Sequence, residues 1–297
     1  GAMVTASHNP QNFNGVKLSK KGAVSIGSGA GMEEIKNDAV RGIFQTLESR
    51  GNITKKDFSD EYAKFLISHF PSLKSDVVKL VAGKKIQGVS FDFDGDRVMF
   101  LDESGKAIPG DIITALLARK YAKPGEKIIY DVSSSRTIKE EVEAMGGVAV
   151  ESRVGHSFIK ALMKKKDAIF GGELAGHYYF RDFFHSDSGI FAALAVLDLI
   201  KAAKKPLSEL TRPLMRYYKS KEINFKIKDK EKIIDKIGAH FPDSRISYLD
   251  GIKIEYSDWW FNLRPSNTED LMRLNIEANS QELLEEKQKI ISKLVDE

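Results

Sequence analysis

At 297 residues, 42% of them hydrophobic and 30% charged, the chain has the composition of an ordinary globular protein of about two or three domains. The net charge of +4 suits an anionic small molecule better than a nucleic-acid track, and the lysine runs (Lys20-Lys21, Lys84-Lys85, Lys164-Lys165-Lys166) read as solvated faces. Without cysteine there can be no disulfide, thiolate metal site or cysteine nucleophile, and with neither a membrane-length apolar run nor a signal-peptide pattern the expected location is cytoplasmic.

The first informative stretch is Thr5-Ala6-Ser7-His8-Asn9-Pro10, continuing through Gly15 to Lys17. Its glycine, proline and asparagine suit a surface turn. It also presents a serine with a lysine further on, which suits a nucleophile beside a charge-stabilising cation. Helical patterning follows over Met32 to Ser49, Asp60 to Phe70 and, after Pro71-Ser72, Ser75 to Val81, ahead of a strand at Gly88 to Phe91. From Ile108 the pattern alternates: helix Asp111 to Tyr121, strand Lys127 to Val132, helix Thr137 to Met145, strand Val148 to Ser152, helix Ser157 to Lys165, strand Ala168 to Phe170. Such alternation indicates an α/β layer with a largely parallel sheet, crossed by the apolar helix Gly189 to Ala203. The last segment reads as strand Glu222 to Lys228, helix Lys230 to Ala239, further strands including Leu271 to Glu277, and helix Gln281 to Val295, a small α+β domain.

Phe91-Asp92-Phe93-Asp94-Gly95-Asp96-Arg97 places three carboxylates at alternate positions after a strand. Crowded aspartates repel one another unless a cation is present, and oxygen-only ligands suit a hard divalent ion such as Mg²⁺. An EF-hand loop would need glycine where Arg97 stands. A haloacid-dehalogenase loop would carry threonine or valine where Asp96 stands. Arg97 is either a partner to the acids or a substrate-facing cation.

Two further polar loops follow. Gly171-Gly172-Glu173-Leu174-Ala175-Gly176-His177 succeeds a strand, at the end of a parallel sheet where ligands bind. Glu173 and His177 suit sugar hydroxyls, though a plain glycine-rich turn reads the same way. Arg264-Pro265-Ser266-Asn267-Thr268-Glu269 combines donors that suit a phosphate, or forms a polar turn before the next strand.

Taken in order, TASHNP, DFDGDR, GGELAGH and RPSNTE resemble the α-D-phosphohexomutase family, the phosphomannomutases and phosphoglucomutases, from residue 4 to the C-terminus. The resemblance implies a phosphohexomutase that interconverts hexose 1-phosphate and hexose 6-phosphate, glucose or mannose, with glucosamine phosphate not separable by sequence. It implies that Ser7 is the phosphoserine and that Asp92, Asp94 and Asp96 hold Mg²⁺ with the Ser7 phosphate. Lys17 and Arg97 would stand beside that phosphate, with His8 in support, and His156 is a possible proton-transfer group or a buried structural histidine. Glu173 and His177 would read the sugar; the family often has serine where this chain has Ala175. Arg264, Ser266, Asn267 and Thr268 would grip the non-reacting phosphate, and a hexose 1,6-bisphosphate would serve as intermediate and activator. Partners expected are a phosphosugar, with no nucleic acid and no membrane.

The fold implied is α/β: repeated mixed-sheet layers plus a C-terminal α+β domain, a reduced version of the family's four-domain architecture. Shortening is expected before TASHNP and between Tyr62 and Phe91. The expected divisions are a phosphoserine-domain remnant at 1–70, a metal-loop remnant at 71–107 either separate from it or merged with it, a sugar-binding domain at 108–212 and a phosphate-binding domain at 213–297. Cut sheet edges invite pairing in a homo-oligomer. The competing functions are a non-catalytic phosphosugar-binding protein and a phosphosugar phosphatase.

Overall fold

Short runs of alternating polarity open the chain and pair as an antiparallel sheet, Ala2–Val4, Val16–Lys20 and Val24–Ile26, with Val16–Lys20 in the centre. The structure is a computed structural model that describes the chain apart from residues 8, 11, 28–29, 45–48, 50, 267–268 and 297 and the side chain of 296. The helix Met32–Arg41 comes next and is shorter than the sequence suggests. Gly42 takes φ 67°, its N–H donates to the Ala39 carbonyl at 3.2 Å and that of Ile43 to the Asp38 carbonyl at 3.0 Å, a Schellman ending. Residues 45–48 of the expected helix lie outside the described residues.

Helices Ser59–His69 and Lys74–Val81 dock on the apolar helix Gly189–Ala203. Aromatic rings make the joint: Phe191 lies 4.8 Å from Phe70 and 4.5 Å from Phe180, centroid to centroid. One apolar core therefore runs from Leu66 to Leu214, taking in Val98 and Phe100 of the hairpin that carries the three aspartates. That hairpin, Val89–Phe91 with Val98–Leu101, belongs to a three-stranded antiparallel sheet completed by Ala107–Ile108.

The central sheet has five strands in the order Ser186–Asp187, Tyr178–Phe180, Phe170–Gly172, Lys127–Asp131, Val148–Ser152. The last three are parallel, as the βα alternation requires, and the first two fold back antiparallel, so the sheet is mixed. Its third strand lies two residues beyond the expected Ala168 to Phe170. Helices Gly110–Tyr121, Thr137–Ala144 and His156–Lys166 accompany it.

The C-terminal unit is a six-stranded antiparallel sheet in which Tyr218–Lys219 and Ile223–Phe225 both pair with Met272–Ala278, followed by Trp259–Pro265, Ile252–Glu255 and Arg245–Ser247. Period-two alternation divides its faces. Ile252, Ile254, Phe261, Leu263, Leu274 and Ile276 form a second apolar core with helices Lys230–His240 and Gln281–Asp296. The other face is polar yet buried: Lys253, Trp260, Asn262, Arg264, Asn275 and Glu277. It meets the central layer through paired groups: Glu277 accepts from the Arg136 N–H at 3.1 Å and the Trp260 indole at 2.7 Å, and Asp250 accepts from the Val154 N–H at 3.0 Å. Among the described residues no helix is long and apolar enough to cross a membrane.

Candidate active site

Ser7 sits in a turn closed by the Asn9 N–H on the Ala6 carbonyl, with φ 50°, in the left-handed region that side chains rarely enter. Thr5 helps hold it there, accepting the Ser7 N–H at 2.9 Å and donating to Asp94 Oδ2 at 3.0 Å. Such a backbone state costs about 1–3 kcal/mol and persists only where its surroundings impose it. The Ser7 hydroxyl donates to Asp92 Oδ2 and accepts from Arg97 Nη2, both at 3.2 Å. Arg97 is fixed in turn by its Nε on Asp92 Oδ2 and its N–H on Asp92 Oδ1, each at 3.1 Å.

Lys17 Nζ lies 2.7 Å from Asp94 Oδ2 and 2.5 Å from Asp96 Oδ2, a cation already seated among the carboxylates. Asp94 Oδ1 and Asp96 Oδ1 are buried with no hydrogen-bond partner among the described residues, and carboxylate oxygens of Asp92, Asp94 and Asp96 lie within 4.8 Å of one another. Orphaned acceptors that close, all oxygen, fit a hard dication. Burial holds the Asp92 carboxyl up at about 6, with the charges of Asp96 and Asp94 adding to it against the Arg97 N–H. Burial would raise Asp94 as well, but Lys17 keeps its carboxyl below the ordinary range. Burial would lower the Lys17 ammonium, and the two aspartates raise it. A cation here displaces a proton from Asp92, so calorimetry should find Mg²⁺ affinity about tenfold weaker at about pH 5 than at about pH 7.5. An unchanged affinity would show that no such exchange occurs.

The aspartate loop is clamped to the rest of the site by backbone. Gly189 donates to the Gly95 carbonyl at 2.9 Å, and a Cβ there would lie 2.7 Å from the Arg97 carbonyl oxygen, so only glycine allows the approach. The Val98 N–H donates to Gly176 at 3.1 Å and Arg97 bridges to His177, which brings the GGELAGH loop alongside. His177 Nδ1 lies 3.9 Å from Asp96 Oδ1 and 3.1 Å from Asp187 Oδ2. Burial works against the imidazolium, but Asp187 and Glu173 outweigh it and raise His177. His156, its ring 6.1 Å from that of His177, is pushed down to about 4 by burial and by Lys160. Glu173 is 2% exposed, raised by burial, and its two oxygens accept the Gly155 N–H and the Tyr179 hydroxyl, both at 2.7 Å.

A cavity of about 850 Å³ opens on this cluster, lined among others by Lys17, Asp94, Asp96, His156, Lys160 and Asp187. The structure thus gathers Ser7, Lys17, Asp92, Asp94, Asp96, Arg97, His156, Glu173 and His177 into one network of contacts. Arg264 and Ser266 are not among the described residues lining that cavity. Arg264 stands on the C-terminal sheet, 4% exposed, and Ser266 follows the end of its strand, where Ser266 Oγ accepts the Glu269 N–H at 3.2 Å. His8, Asn267 and Thr268 lie outside the described residues. Thr5, Lys160, Tyr179 and Asp187 belong to the network without having been singled out in the sequence. Lys160 lies within the helix His156–Lys166 and Asp187 just before the helix Gly189–Ala203, both outside the four polar loops.

Two family descriptions match the chain: "Phosphoglucomutase/phosphomannomutase, alpha/beta/alpha domain III" over residues 109–218 and the C-terminal domain of the same family over residues 222–294. The phosphomannomutase of Methanocaldococcus jannaschii is 34% identical over 360 aligned positions, covering 99% of this chain and 78% of that protein. With 360 aligned positions against 297 residues, at least 63 lie opposite gaps in this chain. A phosphoglucomutase/phosphomannomutase family protein from Burkholderia thailandensis superposes with a TM-score of 0.84 at 23% identity, covering 99% of this chain and 75% of that one. The Aspergillus fumigatus N-acetylphosphoglucosamine mutase, solved with GlcNAc-6P and magnesium, superposes at 0.63 with 14% identity, over 99% of this chain and 88% of that one. The chain belongs to the α-D-phosphohexomutase (phosphoglucomutase/phosphomannomutase) family and is a phosphohexose mutase, an intramolecular phosphotransferase.

Proposed function

We propose that Ser7 is the phosphoryl carrier of a mutase for glucose and mannose phosphates working in the cytoplasm. The observation that carries this reading is the Ser7 hydroxyl held at 3.2 Å from both the Asp92 carboxylate and the Arg97 guanidinium on a left-handed backbone. In the forward half-reaction a sugar hydroxyl attacks the phosphorus of phosphorylated Ser7. The new O–P bond forms as the P–Oγ bond breaks, and Oγ leaves with its negative charge facing Arg97 Nη2. The sugar's proton passes to a neutral base. His156 suits that role, because burial keeps its ring unprotonated and a phosphate on Ser7 would restore part of its basicity. The hexose 1,6-bisphosphate then turns over, and its other phosphate returns to Ser7 by the same step in reverse.

Asp92, Asp94 and Asp96 are the residues that would hold Mg²⁺, whose chemistry is to neutralise charge on the transferring phosphoryl oxygens. The chain's own contribution is Lys17 and Arg97, which hold positive charge at the same oxygens, and the tight backbone turn, which fixes the carrier. Arg264 and Ser266, with Asn267 and Thr268 of the same loop, are read as the grip on the phosphate that does not react, and Glu173 and His177 as the groups nearest the sugar. Magnesium and a phosphosugar are named for the Aspergillus mutase, and the orphaned oxygens of Asp94 and Asp96 support the same requirement here.

The test is conversion of mannose 1-phosphate and glucose 1-phosphate to the 6-phosphates with Mg²⁺ and a trace of bisphosphate, with inorganic phosphate followed in the same tubes. Isomerisation with phosphate on a Ser7 peptide by mass spectrometry is the expected result. Phosphate release without isomerisation would replace this reading by that of a phosphosugar phosphatase.

A further inference from the structure

The loop assigned to the non-reacting phosphate carries an electrostatic difficulty. Arg264 and Arg273 are direct cross-strand partners on Trp259–Pro265 and Met272–Ala278, so two guanidinium groups leave neighbouring backbone sites on one face. Like charges directly opposite one another destabilise a sheet. Both groups are held in protein, with Nε of Arg264 and of Arg273 buried and without a hydrogen-bond partner among the described residues. Glu269 of the same loop pairs with Arg273 Nη2 at 2.6 Å, and a second anion is needed to bridge the two guanidinium groups.

Glu222 does so. Its Oε1 lies 3.1 Å from Arg273 Nη1 and its Oε2 3.5 Å from Arg264 Nη2. Backbone pairing sets this position, because Glu222 immediately precedes the strand Ile223–Phe225, whose Ile223 faces Leu274. The preceding residues are pinned as well: Lys219 Nζ is 2.5 Å from Asp111, and the Ser220 N–H donates to the Ile276 carbonyl at 2.9 Å. Glu222 thus sits on the short connection between Tyr218–Lys219 and Ile223–Phe225, two strands that both pair with Met272–Ala278. Its side chain is 30% exposed, which leaves it a way out.

We propose that Glu222 is an internal stand-in for the substrate's phosphate, so that phosphate capture at this loop is an exchange of one anion for another. This rests on reading Arg264 as part of the phosphate grip. A dianionic phosphate offers more acceptor oxygens to two guanidinium forks than a carboxylate does, which favours the exchange. The displaced carboxylate offsets part of that gain. A mutase benefits, since a bisphosphate that must leave the loop and turn over cannot be held too firmly.

The test is the Glu222→Gln variant of the whole chain, titrated calorimetrically with inorganic phosphate and with mannose 6-phosphate. Affinity for both is expected to rise about two- to fivefold, the size expected for removing a partly exposed competing ion pair. KM should fall with no rise in kcat, and added phosphate should raise the melting temperature more than in the wild type. Glu222→Asp, too short to bridge both arginines, should lie between the two and keeps the test open if the glutamine variant folds poorly. Unchanged or weaker binding in Glu222→Gln would overturn the proposal, since the carboxylate would then be orienting the arginines for phosphate. Arg264→Ala separates the two levels. If it weakens binding while Glu222→Gln fails to strengthen it, only the exchange is wrong; if it leaves binding untouched, the loop reading falls and the proposal falls with it.

Discussion

Ser7→Ala is expected to lower mutase turnover by at least about 10⁴-fold, the scale of losing a covalent carrier. Stability should hardly move, because alanine at φ 50° keeps the same backbone strain and the hydroxyl contacts to Asp92 and Arg97 that it loses lie at a partly exposed site. Ser7→Gly sharpens the argument. Glycine enters the left-handed region freely, so this variant should be more stable than the wild type by about 1 kcal/mol in chemical denaturation while equally inactive. Opposite signs for stability and activity at one position would show that the turn is held in tension for the reaction. Activity in Ser7→Ala within tenfold of wild type would remove Ser7 from the mechanism.

The parts of this molecule that were legible in its sequence are those where local chemistry forces the structure. Three aspartates at alternate positions after Phe91 can only crowd together, and they do, at the tip of a hairpin. The alternation from Ile108 onward gives the parallel strands Lys127–Asp131 and Val148–Ser152 because each crossover helix has length enough to return the chain. Where tertiary pairing decides, the sequence is quieter. Val16–Lys20 and Val24–Ile26 are short and carry polar residues at half their positions, so nothing in their pattern outweighs a loop reading. Two glycines, Gly171 and Gly172, conceal the strand Phe170–Gly172. Ile43 and Phe44 extend the apolar period beyond Met32–Arg41, while the backbone obeys Gly42 instead.

The site follows the same division. Each of its loops announces its polar residues, but the contacts among them come from pairing across elements distant in sequence. Glu173 shows the consequence: its carboxylate suits a sugar hydroxyl, yet here it joins Gly155 of one loop to Tyr179 of a strand. The polar face of the C-terminal sheet, with Glu222 between Arg264 and Arg273, could not be read from residues that stand 42 and 9 positions apart from Arg264 in the chain.

Asp187 is the residue whose importance was least visible, and its removal should have the second large effect. In the chain it stands in His185-Ser186-Asp187-Ser188-Gly189, outside the four polar loops. The pairing of Tyr179 with Asp187 carries it instead to the side of His177. Its side chain is 3% exposed and holds two cationic partners, Lys160 at 2.6 Å and His177 at 3.1 Å. Burial would raise its carboxyl, but these partners hold it well below the ordinary carboxylate range. Asp187→Asn leaves both cations facing a neutral amide, which should cost about 3 kcal/mol of stability, the usual result of removing one member of a buried pair. Turnover should fall about 10²-fold, because His177 loses the group that sets its ring beside Asp96. The pH dependence identifies the cause. His177 is raised in the folded state, so its share of the stability is fully present below its unfolded value and is lost as pH rises through the folded one. Asp187 stays ionised throughout that window. Denaturation of wild type and variant should therefore differ more at about pH 6 than at about pH 9. A difference independent of pH would mean that Lys160 carries the whole interaction, and His177 would then be held by the backbone bridge to Arg97 alone.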